Sequence, residues 1–223
     1  MFESKYSKVL TVVLVIVIIA IVALLGFLSY DFIKKYNTSK QASDFVEEYQ
    51  GNITTSDQGD DTVQENVTLD DANETPITSS TTSGSGKKKY EGFTVVGTMK
   101  IPAINLEYPI VQEVSTKALE KALIALYPSG DNLNLPGNTV IIGHNYRNGM
   151  FFSNLKKLTN GAKIYVTDFR GKSLTYEVYN KFEASSTDTS FYTRDTNGLA
   201  ELTLSTCTDA SNDQRTIIFA KQI

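Results

Sequence analysis

Cys207, His144 and Arg215 are the residues of this sequence whose types and positions could carry out covalent chemistry. Cys207 ends a strand-like run, His144 follows the strand-like run Val140–Gly143 at the start of a turn, and Arg215 opens the last strand-like run. A thiol can attack a carbonyl carbon when an imidazole exchanges protons with it, and a nearby cation can stabilise the resulting oxyanion. This combination predicts nucleophilic catalysis at one cleft, because strand ends hold side chains rigidly while leaving them accessible.

Each of these three residues also has an ordinary structural explanation. A free cysteine such as Cys207 often packs as a small hydrophobic residue. A histidine that follows a glycine at a turn, as His144 does, can be purely structural. Arg215 alone is typical of a solvated surface charge. The sequence pattern therefore favours a catalytic group only when the three residues are considered together.

The composition excludes several classes of site. The chain has one cysteine and one histidine, so it can form neither an internal disulfide nor a zinc site of several Cys and His ligands. We expect no metal ion and no cofactor. The formal net charge is -4, so the chain lacks the broad basic surface that nucleic acids require, and no nucleic-acid partner is predicted.

The elements that must position the three residues are short strands. β-branched and aromatic residues punctuated by turns predict an all-β domain from Tyr90 to Ile223, large enough for one barrel. The predicted strands are Phe93–Ile101, Thr139–Ile142, Lys163–Asp168, Ser173–Ala184, Glu201–Cys207 and Thr216–Gln222. Helices are predicted from Ser115, as the cap, to Leu126 and from Phe151 to Leu158.

A long apolar run precedes this domain. Residues Val9–Leu28 carry no charge and number about the ~20 that a helix needs to cross a bilayer. The alternative is a cleaved signal peptide, but the run exceeds the usual apolar region of one and no small-residue cleavage pattern follows. We therefore predict a transmembrane anchor at residues 9–29. Lysines flank both sides of the run, so charge does not fix its orientation.

Two further segments connect the anchor to the barrel. Residues from Asp31 to about Gln50 are compatible with a juxtamembrane helix, whereas Gly51–Lys89 is rich in Thr, Ser, Asp, Asn and Gly and is predicted to be a flexible tether. The predicted organisation is thus an N-terminal segment at 1–8, the anchor at 9–29, a juxtamembrane segment and linker at 30–89, and the catalytic domain at 90–223.

Three motifs of this sequence resemble those of the sortase family. Thr203-Leu204-Ser205-Thr206-Cys207, followed by Arg215 eight residues later, is similar to the family signature Thr-Leu-x-Thr-Cys with its downstream arginine. Ile142-Gly143-His144-Asn145 is similar to the Gly-His motif, and Gly97–Ile104 matches the pattern of the early strands. The resemblance covers about Gly92 to Ile223 in both order and spacing.

The resemblance implies an eight-stranded β-barrel with short helices and a cysteine transpeptidase activity. Such an enzyme cleaves a Leu-Pro-x-Thr-Gly-like sorting signal of a secreted protein between Thr and Gly. It then joins the new carboxyl end to an amine, usually on a peptidoglycan precursor. By position, Cys207 would form the thioester, and His144 would protonate the leaving amine and later accept a proton. Arg215 would stabilise the oxyanion or hold the substrate backbone.

The resemblance also implies an orientation and leaves two questions open. The N-terminus would be cytoplasmic and the catalytic domain extracellular, in an envelope of the Gram-positive type. No Asp-Pro-aromatic lid precedes the barrel, which favours a class B- or D-like subclass over the pilin-polymerising one.

Two alternative functions remain open. One is a surface cysteine peptidase that passes the acyl group to water. The other is a tethered barrel that only binds peptides.

Overall fold

The computed structural model describes residues 5–55 and 87–223. It divides into two compact units, one ending at Asp44 and the other running from Phe45 to Ile223. Helix α1 spans Lys5–Thr55. Its apolar part, which includes the predicted span Val9–Leu28, is long and apolar enough to cross a membrane, and its described side chains are exposed. The helix predicted from Asp31 to about Gln50 is present as a continuation of α1.

The second unit consists mainly of β-strands, which the β-branched and aromatic runs form as predicted. Its strands are β1 (Lys89–Tyr90), β2 (Phe93–Ile101), β3 (Leu106–Val111), β4 (Leu123–Tyr127), β5 (Gly137–Ile142), β6 (Lys163–Asp168), β7 (Ser173–Ser185), β8 (Ala200–Cys207) and β9 (Gln214–Gln222). Helix α2 spans Thr116–Leu119, and two 3₁₀ helices span Pro102–Ile104 and Phe152–Lys157. All six predicted strands are present, several with one or two added residues.

The strands close into a barrel. Their order is β1-β2-β3-β4-β5-β8-β9-β7-β6, and a further antiparallel pairing of β2 with β6 joins the two sides. The closed barrel therefore has eight strands, β2 to β9, while β1 only extends the β2 edge. Pairing is parallel between β3 and β4 and between β5 and β8, and antiparallel elsewhere. The predicted eight-stranded barrel with short helices is confirmed.

The predicted helix from Ser115 to Leu126 is wrong beyond its first turn. The Ser115 hydroxyl does cap it by accepting a hydrogen bond from the Ala118 backbone N–H at 3.1 Å, but α2 ends at Leu119. The remaining part forms β4, which pairs with β3 on one side and β5 on the other. Sheet pairing thus overrides the helical spacing of its leucines. The second predicted helix is present as the 3₁₀ helix Phe152–Lys157.

The end of α1 packs on the barrel within the second unit. The ring of Phe45 lies 4.9 Å from that of Tyr90, Val46 and Tyr49 are buried, and the Gln50 side chain donates to the Thr98 hydroxyl at 3.3 Å. Apolar burial therefore attaches this part of the helix to the strands. Most of the predicted flexible tether, Gly51–Lys89, lies outside the described residues.

Strand β8 is buried on both of its faces. One face contributes Leu202 and Leu204 to the core. The other carries Thr203, whose hydroxyl donates to Asn138 at 2.8 Å, and Glu201, which pairs with Arg194 of the connection between β7 and β8. A strand covered on both sides is a rigid support for the cysteine at its end.

Candidate active site

Cys207 and Arg215 lie opposite each other on two neighbouring strands of the barrel wall. They form the last residue pair of the antiparallel β8–β9 ladder, and both are half-buried. The Arg215 Nη1 donates to the backbone carbonyl of Asn212, in the turn between the two strands, and to that of Gln214, the first residue of β9. The ladder thus fixes the backbone of a permanently charged residue opposite that of Cys207.

His144 lies two residues beyond β5, next to the end of β8. Because β5 and β8 are parallel, with Ile142 paired to Ser205, the two strands end at the same edge of the barrel. The Thr206 hydroxyl donates to the Gly143 carbonyl at 2.7 Å, and the Gly143 N–H donates to the Ser205 carbonyl at 3.3 Å. The structure therefore brings all three predicted residues to one edge, at the ends of three neighbouring strands.

Gly143 is required where β5 ends because the chain passes close to buried side chains. A β-carbon at this position would lie 2.7 Å from Leu123 Cδ2 and 2.8 Å from Phe152 Cδ2. Both of these side chains are fully buried and have little room to move. The glycine lets the backbone carrying His144 lie directly against the core.

Asn145 joins the histidine segment to the cysteine segment, and sequence reasoning gave it no role. Its Nδ2 donates to the backbone carbonyl of Cys207 and to Asp209 Oδ1, each at 2.8 Å. Its Oδ1 accepts from the Arg147 backbone N–H at 3.0 Å. Its position directly after His144 was the one feature of the sequence that pointed to it. Its partners are distant along the chain, so only the folded structure identifies them.

The surroundings of His144 favour its neutral form. Burial lowers the pKa of the imidazole below its ordinary value, while the negative charge of Glu120 opposes this shift. The Tyr146 ring packs against the imidazole, tilted by 32° with 4.6 Å between the ring centres. The His144 backbone carbonyl accepts from the Phe152 N–H at 3.0 Å. A neutral imidazole held in this way can accept a proton at neutral pH.

The β7–β8 loop, residues 186–199, forms a further wall close to Arg215. Burial raises the pKa of Tyr192, and the positive charge of Arg215 opposes this shift. The Tyr192 ring lies 5.6 Å from that of Tyr127. Phe191 instead packs against Phe182 and the buried Phe219. Tyr192 therefore packs against Tyr127 of β4, whereas Phe191 belongs to the core.

Asn138 attaches this loop to the barrel. Its Nδ2 donates to the carbonyls of Phe191 and Tyr192 at 3.2 and 2.9 Å, and its Oδ1 accepts from Arg194 and from Thr203. The side chain is buried and makes four hydrogen bonds, so it fixes the loop backbone on the sheet.

No group of three His, Cys, Asp or Glu side chains is arranged to hold a metal ion among residues 5–55 and 87–223. The groups that converge at the end of β8 are a thiol, an imidazole and a guanidinium. These are the groups required for acyl transfer through a nucleophile, a proton carrier and an oxyanion stabiliser.

Comparison with known proteins agrees with this geometry. The family model described as a sortase domain matches residues 99–223. Sortase A of Bacillus anthracis is 27% identical over 133 residues, which is 56% of this chain and 58% of that protein. Sortase A of Streptococcus agalactiae is 26% identical over 141 residues, 61% of this chain and 56% of that protein. The matched region thus spans somewhat more than half the length of these curated relatives.

Solved structures show the same fold. The chain resembles sortase A from Corynebacterium diphtheriae with a TM-score of 0.53 and 30% identity, covering 59% of this chain and 61% of that one. It resembles sortase C-1 from Actinomyces oris with a TM-score of 0.53 and 26% identity, covering 58% and 73%. Because the matched family model covers more than half of the sequence, the chain belongs to the sortase family, a family of cysteine transpeptidases.

Proposed function

We propose that this protein is a membrane-anchored transpeptidase that cleaves a Leu-Pro-x-Thr-Gly-like sorting signal of secreted proteins and joins them to a cell-wall amine. The observation that carries the proposal is the placement of Cys207, His144 and Arg215 at one edge of the barrel, with Arg215 paired opposite Cys207 and Thr206 bonded to Gly143. Family membership supports acyl transfer to surface-protein substrates as the reaction class.

The first half-reaction forms a thioester. The Cys207 sulfur attacks the carbonyl carbon of the substrate threonine, and its thiol proton passes to neutral His144. The negative charge that develops on the carbonyl oxygen is stabilised by the guanidinium of Arg215. The bond between threonine and glycine then breaks, and the imidazolium of His144 gives its proton to the leaving amine.

The second half-reaction reverses these roles. The amine of the cell-wall precursor attacks the thioester carbon, and His144 accepts the proton that this amine loses. The carbon–sulfur bond breaks, and Cys207 leaves as a thiolate that recovers its proton from His144. The net change exchanges one amide bond for another, so no external oxidant, reductant or energy source is needed.

The remainder of the chain fits the same assignment. The apolar part of α1 holds the enzyme at the membrane, where secreted substrates and a lipid-linked acceptor both arrive. We place the N-terminus on the cytoplasmic side and the barrel, residues 90–223, outside. The predicted linker within 30–89 would connect the anchor to the catalytic domain.

The test is mass spectrometry of the detergent-solubilised full chain, incubated with a Leu-Pro-x-Thr-Gly-like peptide library and a short glycine amine. We expect a ligated product and a thioester adduct, both lost in Cys207→Ala. Arg215→Lys keeps the charge but loses the planar fork of donors, so its turnover should fall while the thiol remains reactive. Hydrolysed peptide without ligation would identify a peptidase, and no adduct with any peptide would favour a binding barrel.

A further inference from the structure

Asn145 occupies the junction between the two halves of the site. Through its Nδ2 it binds the Cys207 carbonyl and Asp209, each at 2.8 Å. Through its Oδ1 it binds the Arg147 N–H, where the backbone turns with a positive φ of 57°. The three hydrogen bonds thus connect Asn145 to its own turn, to the last residue of β8 and to the turn that follows β8.

His144 is consequently held from both sides. On one side, the Gly143 carbonyl accepts from Thr206, one residue before the cysteine. On the other side, Asn145 donates to the carbonyl of Cys207 itself. The two hydrogen bonds attach the residues before and after the histidine to consecutive residues of one strand. On the Gly143 side the backbone N–H also donates to the Ser205 carbonyl, so removing the Asn145 bond, but not the Thr206 bond, leaves the histidine backbone attached to β8 from a single side.

The hydrogen bond from Asn145 to the Cys207 carbonyl holds the His144 segment more firmly than the contact with Asp209 and its ion pair with Lys156. Asp209, the other acceptor of Asn145, also pairs with Lys156 of the second 3₁₀ helix, but both of these side chains are substantially exposed. Exposed ion pairs contribute little because water screens them. The bond from Asn145 to Cys207 is partly buried, so it retains more of its strength.

We propose that Asn145 is a positioning residue that sets the separation of His144 and Cys207 by donating a hydrogen bond to the Cys207 backbone carbonyl. This inference rests on the proposed function, because it assigns the two residues to one proton-transfer pair. Asn145 acts through its neighbours and does not touch the reacting atoms. Its loss should therefore slow turnover while leaving substrate binding largely intact.

A matched control lies three residues away. Asn148 is the same residue type, is exposed in the same turn, and uses its Oδ1 to accept from the Met150 N–H at 3.0 Å. It makes no bond to β8 in the described part of the chain. Asn148→Ala therefore removes a local turn bond, whereas Asn145→Ala also removes the bond to Cys207.

The first measurement needs no peptide substrate. The rate at which iodoacetamide alkylates Cys207 is followed against pH in the full chain, in His144→Gln, in Asn145→Ala and in Asn148→Ala. The other titratable or charged groups around the pair are all retained in the two asparagine variants, namely Glu120, Tyr146, Lys156, Tyr192, Asp209 and Arg215. Of these, only Asp209 loses a hydrogen bond, in Asn145→Ala, and it keeps its ion pair with Lys156. We expect the Asn145→Ala profile to move toward that of His144→Gln and the Asn148→Ala profile to match the unmodified chain.

The second measurement is ligation of the sorting peptide to a glycine amine. We expect kcat of Asn145→Ala to fall about tenfold or more with little change in KM, since displacing a reacting group by a fraction of an ångström has effects of this size. Asn148→Ala should stay within about twofold, as surface substitutions usually do.

The outcomes separate this inference from the proposed function. If the unmodified chain and His144→Gln have the same alkylation profile, the two residues are not coupled, and both the pair and the role of Asn145 are wrong. If those two differ but Asn145→Ala behaves like the unmodified chain, only the role of Asn145 is wrong. Equal losses in Asn145→Ala and Asn148→Ala would show general loosening of the turn and would overturn the role through Cys207.

Discussion

Thr206→Val isolates the hydrogen bond that joins the cysteine strand to the backbone before His144. The Thr206 side chain is buried, and its hydroxyl donates to the Gly143 carbonyl at 2.7 Å. Valine has nearly the same shape, so the substitution removes the donor without opening a cavity. The Gly143 carbonyl then loses a buried partner.

The magnitude follows from the burial of this bond. Leaving a buried acceptor without its partner costs about 1–3 kcal/mol. For a domain of this size, each kcal/mol lowers Tm by roughly 2–4 °C, so the melting temperature should fall by about 2–12 °C. Because the Gly143 carbonyl directly precedes His144, kcat should also fall, by about tenfold.

Thr206→Ser is the matched control because it retains the hydroxyl and removes only a buried methyl group. That loss costs about 0.8 kcal/mol and should leave kcat close to that of the unmodified chain. Calorimetry gives the stability of both variants, and peptide ligation gives their kcat and KM. If Thr206→Val turned over as fast as the unmodified chain, or if Thr206→Ser lost as much activity as the valine variant, the hydroxyl would not position His144.

Three further predictions concern the surroundings of the same edge. Gly143→Ala should lower the free energy of unfolding by about 1–3 kcal/mol in denaturant titrations, because its methyl group would overlap fixed core side chains; an unchanged value would mean that the core yields freely. Burial lowers the pKa of His144, so on acidification the unfolded chain binds a proton before the folded chain does, and stability should fall below about pH 6.5. His144→Gln should therefore lose less stability between pH 8 and pH 5 in the same titrations. Parallel curves of stability against pH for the two proteins would contradict the lowered pKa. Asn138→Ala should raise the KM for the peptide more than it lowers kcat, because it releases the Phe191 and Tyr192 carbonyls that attach the β7–β8 loop to the barrel. A loss confined to kcat would place the effect on the chemistry instead.

The strand pattern of the sequence predicted most of the barrel wall, and its two failures have physical causes. Strand β3 was missed because Pro109 stands in its middle, and proline normally argues against a strand interior. Pro109 nevertheless pairs with Thr98 within the β2–β3 ladder. Strand β4 was interpreted as helix because its leucines recur at helical spacing, and only its two neighbouring strands reveal its conformation.

The positions of Cys207 and His144 at strand ends were visible in the sequence, but their adjacency was not. It depends on the parallel pairing of β5 with β8, strands about sixty residues apart, which no local pattern encodes. For the same reason Asn145 and Asn138 had no predicted role, since their partners are distant along the chain. The family resemblance, which carries this long-range information, supplied what periodicity could not.

The two asparagines divide the site into separately supported parts. Asn145 binds the backbone of Cys207, whereas Asn138 binds the backbone of the β7–β8 loop at Phe191 and Tyr192. Both asparagines contact β8, at Cys207 and at Thr203, so this doubly covered strand supports the chemistry and the adjacent wall alike. The loop of residues 186–199 is attached to the barrel through the Phe191 and Tyr192 carbonyls, through the Phe191 ring and through Arg194, which pairs with Glu201 of β8. None of these contacts involves Cys207 or His144, so the loop and the Cys207–His144 edge are supported by different side chains.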